Sequence, residues 1–251
     1  MINRHTIFVS LLLLSLYLPK SGWSAAYIFD ATTTKMQVTS VAAIETTVVS
    51  ICLWTYRLGN GETNLARLMD KLTSETTGCW HLFDRGATAA QYGMAADFTT
   101  NNADWRIDRP ANGAWAHLCW SWNGTTKSPT AFVNGASVTV TVNTAPTGTY
   151  RGAGNAPLVV GNDPAQANTY NGHLAEVVYL NRLITATDAK AIMTCGPKAV
   201  GNGVVGYWPL GNFLGLNTTA IASLNLTVTA GTGSISVIGP PLPYEQGDVC
   251  E

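Results

Sequence analysis

The chain has 251 residues, 46% of them apolar and only 12% charged, with a formal net charge of −1. That balance excludes intrinsic disorder, leaves material for a sizeable core, and offers no basic stripe for a phosphate backbone, so nucleic acid is not an expected partner. Twenty-four glycines and eleven prolines suit short strands joined by many turns, and all-β units of this length are common as single domains.

The N-terminus stands apart from the rest. Arg4 and His5 precede a nearly continuous apolar run from Ile7 to Leu18, followed by K-S-G-W-S-A-A at 20–26. This is the layout of a secretory leader, and the run is short for a membrane span. Residues 1–25 are therefore expected to be a cleaved signal peptide. Its removal takes away Arg4 and Lys20 and moves the formal charge from −1 to −3. The mature chain is expected to be secreted or at the cell surface, with the periplasm as the bacterial counterpart. It is not expected to span a membrane.

Strand patterns then follow one another. Ala26 to Phe29 and Met36 to Val38 open the series. Thr46 to Tyr56 is a strong strand in which Val49, Ile51 and Leu53 share one face and Ser50, Cys52 and Trp54 the other. Arg57 to Gly61 is a turn. Ala66 to Asp70, Trp80 to Asp84, Gln91 to Phe98 and Trp105 to Ile107 are further strands. Ala114 to Trp122 is the second strong strand, closed by Asn123-Gly124. Thr130 to Val133 ends at Asn134-Gly135, the best hairpin signal in the chain. Ser137 to Val142 returns with a period of two. Pro157 to Gly161 and Gly172 to Leu180 follow. Thr185 to Thr194 is the one good helical segment, capped by Thr185 or Thr187 and stopped by Gly196-Pro197. Val204 to Leu210 and Leu224 to Val228 close the pattern. So many strands without a βαβ unit predict an all-β, two-sheet antiparallel jelly-roll sandwich with one short helix near 185–195. Residues 26–238 form the domain, and the Pro-rich stretch 239–251 an extended C-terminal tail.

Five cysteines, Cys52, Cys79, Cys119, Cys195 and Cys250, leave at least one thiol unpaired. Cys52 and Cys119 lie inside apolar strands and read as small buried hydrophobes. Cys195 and Cys250 lie near segment ends, and a bridge between them is one pairing the chain allows.

Several segments, in order, carry a family likeness. They are V-S-I-C-L-W-T-Y at 49–56, G-A-W-A-H-L-C-W-S-W-N-G at 113–124, T-A-F-V-N-G at 130–135, and P-L-V-V-G-N at 157–162 with N-G-H-L-A-E-V-V-Y-L-N-R-L-I-T at 171–185. With G-Y-W-P-L at 206–210 and G-P-P at 239–241, the set resembles a laminin G-like jelly roll of the concanavalin A-like lectin and glucanase group. The resemblance implies a recognition module, an assembly subunit, or an enzyme acting on polysaccharides.

The enzyme reading finds little support. A glycosidase needs two carboxylates facing one cleft. Asp104 and Asp108 come nearest, but Arg106 and Arg109 sit among them, which lowers carboxylate pKa values, the wrong direction for a general acid. No G-x-S-x-G, phosphate loop or dinucleotide fingerprint occurs. Glu176, mid-strand among apolar neighbours, must be partnered if buried, with backbone amides or Arg182 as candidates. Calcium is the one ion the resemblance admits. Asn162 and Asp163, in G-N-D-P, are its candidate ligands, against a turn in which both bond their own backbone. For a glycan or cell-surface polymer, Trp105, Tyr170, Tyr92 and Tyr150 are the candidate stacking rings because they lie next to loop residues. The same low charge suits assembly with copies of itself.

Overall fold

A computed structural model describes residues 25–74, 77–86, 89–152, 155–211, 226–231, 233–236 and 239–242. The expected leader and most of the expected tail, including Cys250, lie outside them. The described residues form sixteen strands in two antiparallel sheets, with one α-helix, as the two-sheet expectation requires.

The first sheet is built around β3 (Val48–Arg57), β8 (Trp115–Asn123) and β13 (Asn171–Leu180). β-Branched and aromatic residues fill all three, the composition a pleated surface buried on both faces favours. β8 continues through β9 (Thr130–Val133) to β10 (Ala136–Val138). The first half of β13 pairs with β1 (Ala26–Asp30), and β1 with β16 (Ile235–Ser236). The second half pairs with β14 (Val204–Trp208). A bulge between Ala175 and Val178 separates the halves, with Glu176 at φ 52°. Asn134 and Gly135, at φ 50° and 76°, supply the left-handed pair that a tight hairpin between β9 and β10 requires.

The second sheet runs in the order β11 (Thr141–Thr144), β7 (Ala103–Asp108), β6 (Gln91–Ala96), β5 (Thr77–Asp84), β4 (Ala66–Ser74), β12 (Leu158–Val160), β2 (Lys35–Val38) and β15 (Thr227–Ala230). The period-two run expected as one strand over 137–142 is divided. Its start, β10, edges the first sheet, and its end, β11, edges the second. The chain crosses between sheets at residues 139 and 140, because each half finds unpaired backbone on a different sheet. Inner faces of both sheets meet in one large core that includes Trp80, Trp105, Trp120, Trp122 and Trp208.

Helix α1 (Ala186–Cys195) covers part of the first sheet's outer face. Thr185 caps it through a reciprocal box with Asp188. It buries Ala189 and Ile192 against Cys52, Cys119, Phe132, Val178, Leu180 and Ile184. Under this helix Cys52 and Cys119 are directly opposite in the β3–β8 register and form a disulfide. This corrects their reading as simple hydrophobes: two cysteines facing each other across adjacent strands are within bonding reach. Cys79 is a free, buried thiol. Cys195 is disulfide-bonded. Arg182 pairs with Asp188 at 3.0 Å rather than with Glu176, whose carboxylate instead accepts the Tyr207 hydroxyl. The bulge carries Glu176 to Tyr207 on the neighbouring strand.

Candidate functional site

The four rings expected to face a ligand are mostly withdrawn from solvent. Trp105, Tyr92 and Tyr170 are 1%, 3% and 0% exposed and sit in the central core. Trp105 packs on Trp122, with ring centroids 6.1 Å apart. The Tyr170 hydroxyl is 2.6 Å from Thr55 Oγ1 and 3.4 Å from the Tyr92 hydroxyl, a buried three-hydroxyl cluster. Burial pushes both phenol pKa values up. None of the three offers a face to a sugar, which corrects the expectation. Strand parity explains it: Trp105 shares its face with Ala103 and Ile107, which are also buried, while Asp104, Arg106 and Asp108 take the outer face. Tyr150 is partly buried, its hydroxyl inside the protein and its ring edge-on to Trp122 at 4.7 Å. It lines a shallow hollow of about 260 Å³ with Thr47, Gly124, Thr125, Lys127, Gly148 and Thr149.

A different set of rings reaches solvent. Register brings Ile28 opposite His173, His173 opposite Tyr56, and Tyr56 opposite Trp115, across β1, β13, β3 and β8. All four are only partly buried, on the first sheet's outer face, at the end where β3 leaves for β4. The three rings converge. Tyr56 lies 5.4 Å from Trp115 and 5.3 Å from His173, and Trp115 and His173 are 6.0 Å apart. Their planes are tilted by 54°, 41° and 74° in the same order. One step deeper, Trp54 and Ala175 are buried with Leu242, and Trp115 and Met193 pack against them. The patch is thus anchored on its inner side and partly exposed on its outer side, with Trp115 Nε1 and His173 Nδ1 turned into the protein.

Polar groups border that end of the sandwich. Buried Arg57 donates from Nε to Asp84, from Nη1 to Asn112 Oδ1 at 2.9 Å, and from Nη2 to Asn60 Oδ1 at 2.7 Å. Arg109 also donates to Asp84. The guanidinium fixes both side-chain amides by their oxygens, which leaves their N–H groups as the donors a ligand would meet. Asn171 Nδ2 donates to the Asn60 carbonyl at 2.8 Å. On the same edge Asp30 is paired in register with Asn171. Against desolvation, hydrogen bonds from Thr32 and Thr34 hold its carboxyl down at about 2.

The calcium candidates do not make an ion shell. Asn162 Oδ1 accepts from the Asp163 and Asn168 backbone, and Asn162 Nδ2 donates to Thr169 Oγ1. Asp163 accepts from the Ala167 backbone at Oδ1 and from Asn168 Nδ2 at Oδ2. Lys35 Nζ donates to the Pro164 carbonyl, placing a cation in the same loop. With the oxygens turned onto the loop's own N–H groups and an ammonium alongside, the donor set does not fit calcium.

The outer face of the second sheet is no better placed for acid–base chemistry. Asp104 is held by Arg106 Nε at 2.9 Å and also accepts from Asn143, while Asp108 is exposed. Burial lifts the Asp70 carboxyl to about 7 against the pull of Arg67, but Asp70 is fully buried and bonded to Arg67 Nε and the Leu72 backbone. No substrate reaches it.

Several solved structures share this architecture. A candidate carbohydrate-binding protein from Bacteroides ovatus superposes with a TM-score of 0.65 at 14% identity, over 89% of this chain and 62% of that one. This chain thus spans less than two thirds of that protein. A heptameric SAP-like pentraxin from Limulus polyphemus gives 0.57 at 12% identity, over 86% and 95% of the two chains. A sialidase from Streptococcus pneumoniae gives 0.52 at 13% identity, over 67% of this chain and 27% of that one. The sequence matches no curated protein. Residues 30–190 match a laminin G family model, and with more than half its length inside that match the chain belongs to the concanavalin A-like lectin/glucanases superfamily.

Proposed function

We propose that this protein is an exported, non-catalytic carbohydrate-binding module. The observation that carries the reading is the partly exposed cluster of Tyr56, Trp115 and His173 beside Ile28. Sugar rings present C–H faces that pack on aromatic rings and hydroxyls that take planar amide donors, and both elements sit at this end of the sandwich. The Bacteroides ovatus neighbour, a candidate carbohydrate-binding protein, supports the same class. Two features support export: the leader pattern, and the disulfide between Cys52 and Cys119, a bond that persists in oxidising compartments. The non-catalytic reading draws on the locked carboxylates described above, since acid–base hydrolysis needs two that face a substrate.

Affinity electrophoresis in gels cast with neutral polysaccharides tests this. Retardation is expected for the native chain. Trp115→Ala and Tyr56→Ala should each weaken it by about tenfold or more. Retardation by no polysaccharide, or retardation indifferent to both substitutions, would remove the proposal.

A further inference from the structure

The geometry of the patch says more than that it is aromatic. We infer that it recognises one neutral sugar residue, at a chain end or on a branch, rather than a run of polymer or a flat crystalline face. This rests on the reading above and narrows it.

Neighbouring strands lie about 4.8 Å apart, so side chains that stood upright on β8, β3 and β13 would form a strip with its outer rings roughly 10 Å apart. A strip of that kind would follow successive residues of an extended glycan. The observed rings do not stand upright. Trp115 and His173, on strands separated by β3, approach to 6.0 Å, and each lies within 5.4 Å of Tyr56. The strip has closed into a triangle whose sides match the breadth of a single pyranose.

The tilt of the rings excludes a flat partner. A crystalline polysaccharide surface needs rings that share a plane. Here no pair is closer to parallel than 41°, so a flat face would touch one ring and stand off from the others. A single sugar residue, with faces and edges of its own, can use the angle between two rings.

Burial closes the inner end. The next step along the strands holds Trp54 and Ala175 beneath Leu242, with Met193 alongside. A second sugar residue cannot continue inward along the strands without displacing them. At the outer end the patch gives way to Asn60, Asn112 and Asn171, which offer hydrogen bonds rather than another stacking surface.

Charge sets the class. Among the described residues the arginines at this end are Arg57 and Arg109, with side chains 3% and 8% exposed and both held against Asp84, and Arg57 has Nε, Nη1 and Nη2 all engaged. Neither is available to a uronate or sialate. The ionised Asp30 on the same edge opposes an anionic ligand. The patch therefore favours a neutral residue.

Calorimetric titration of the full mature chain tests the inference. The probes are the methyl glycosides of glucose, galactose, mannose and N-acetylglucosamine, each with its homo-oligosaccharides of two to four residues, and galacturonate as the acidic member. For the sugar that binds, the methyl glycoside should match the tetrasaccharide within about threefold on a molar basis. Galacturonate should bind at least tenfold more weakly than methyl galactoside, or not at all. Trp115→Ala should lower affinity for the methyl glycoside and the tetrasaccharide by the same factor. An affinity that climbs tenfold or more from one residue to four would overturn single-residue recognition and leave the carbohydrate-binding reading intact. Equal or tighter binding of galacturonate would overturn neutrality. If no probe binds and no neutral polysaccharide retards the chain, the function and the inference both fall.

Discussion

Two sets of aromatic rings in this molecule look alike in the sequence and do opposite things. Trp105, Tyr92 and Tyr170 fill the space between the sheets. Tyr56, Trp115 and His173 stand on the outer face of the first sheet and meet solvent. Adjacent residues can divide between the two sets: Thr55 hydrogen-bonds to Tyr170 inside, while Tyr56, next in the chain, joins the patch outside. Ring identity therefore says little about role. Parity along a strand, together with what covers that face, decides it.

The largest difference between the two sets of rings is expected in stability. Trp105→Ala should cost about 3–5 kcal/mol in urea unfolding, as loss of a fully buried indole does. A near-neutral result would mean that the inner ring is not core. Next comes the outer face beneath α1. Replacing Cys52 and Cys119 together by Ala opens a link between residues 67 apart in sequence and should cost about 2–4 kcal/mol. Unchanged stability under non-reducing conditions would show that the bond does not form.

Acid probes the same region. Burial depresses the His117 pKa from 6.5 to about 3, so the fold holds the neutral imidazole and the unfolded chain binds the extra proton. Its contribution is intact above pH 6.5 and is lost as pH falls toward 3. By pH 5 the loss should reach about 2 kcal/mol. His117→Asn should flatten that part of the stability profile. Smaller again is the effect at the patch: Trp115→Ala, which is expected to weaken sugar binding, should cost less stability than Trp105→Ala, because its ring is only partly buried. The smallest expected effect is that of chelation. EDTA should leave Tm unchanged, since Asn162 and Asp163 are satisfied by their own loop; a clear fall in Tm would restore calcium.

Much of the framework is written in local pattern. The Asn134-Gly135 turn, the alternation of β3 and β8, and the Thr185 cap are each readable because a short-range rule governs them. The burial of two rings expected at the site is legible as well. Trp105 shares its parity with Ala103 and Ile107, and Tyr92 with Met94 and Ala96, so their burial was within reach of the same rule. Trp115 and Tyr56 were not. β3 and β8 are apolar on both faces, because α1 and residue 242 cover the outer one, and alternation cannot say where such a cover ends. The convergence of three rings from three strands depends on register, which no single segment contains. The split of residues 137–142 between two sheets is a long-range event of the same kind.

The seat of Leu242 has a consequence for how such a surface could change. Gly239, Pro240 and Leu242 are buried, and Leu242 lies against Trp54 and Ala175, immediately inward of the open rings. It belongs to neither sheet. Leu242→Ala is expected to expose Trp54 and so lengthen the aromatic surface by one step, which an increase in the quenching of tryptophan fluorescence by acrylamide would report. Residues 239–242 also fall outside the span of 30–190 that matches the family. The inner limit of the aromatic patch is thus set by a short segment outside both sheets and outside the family match.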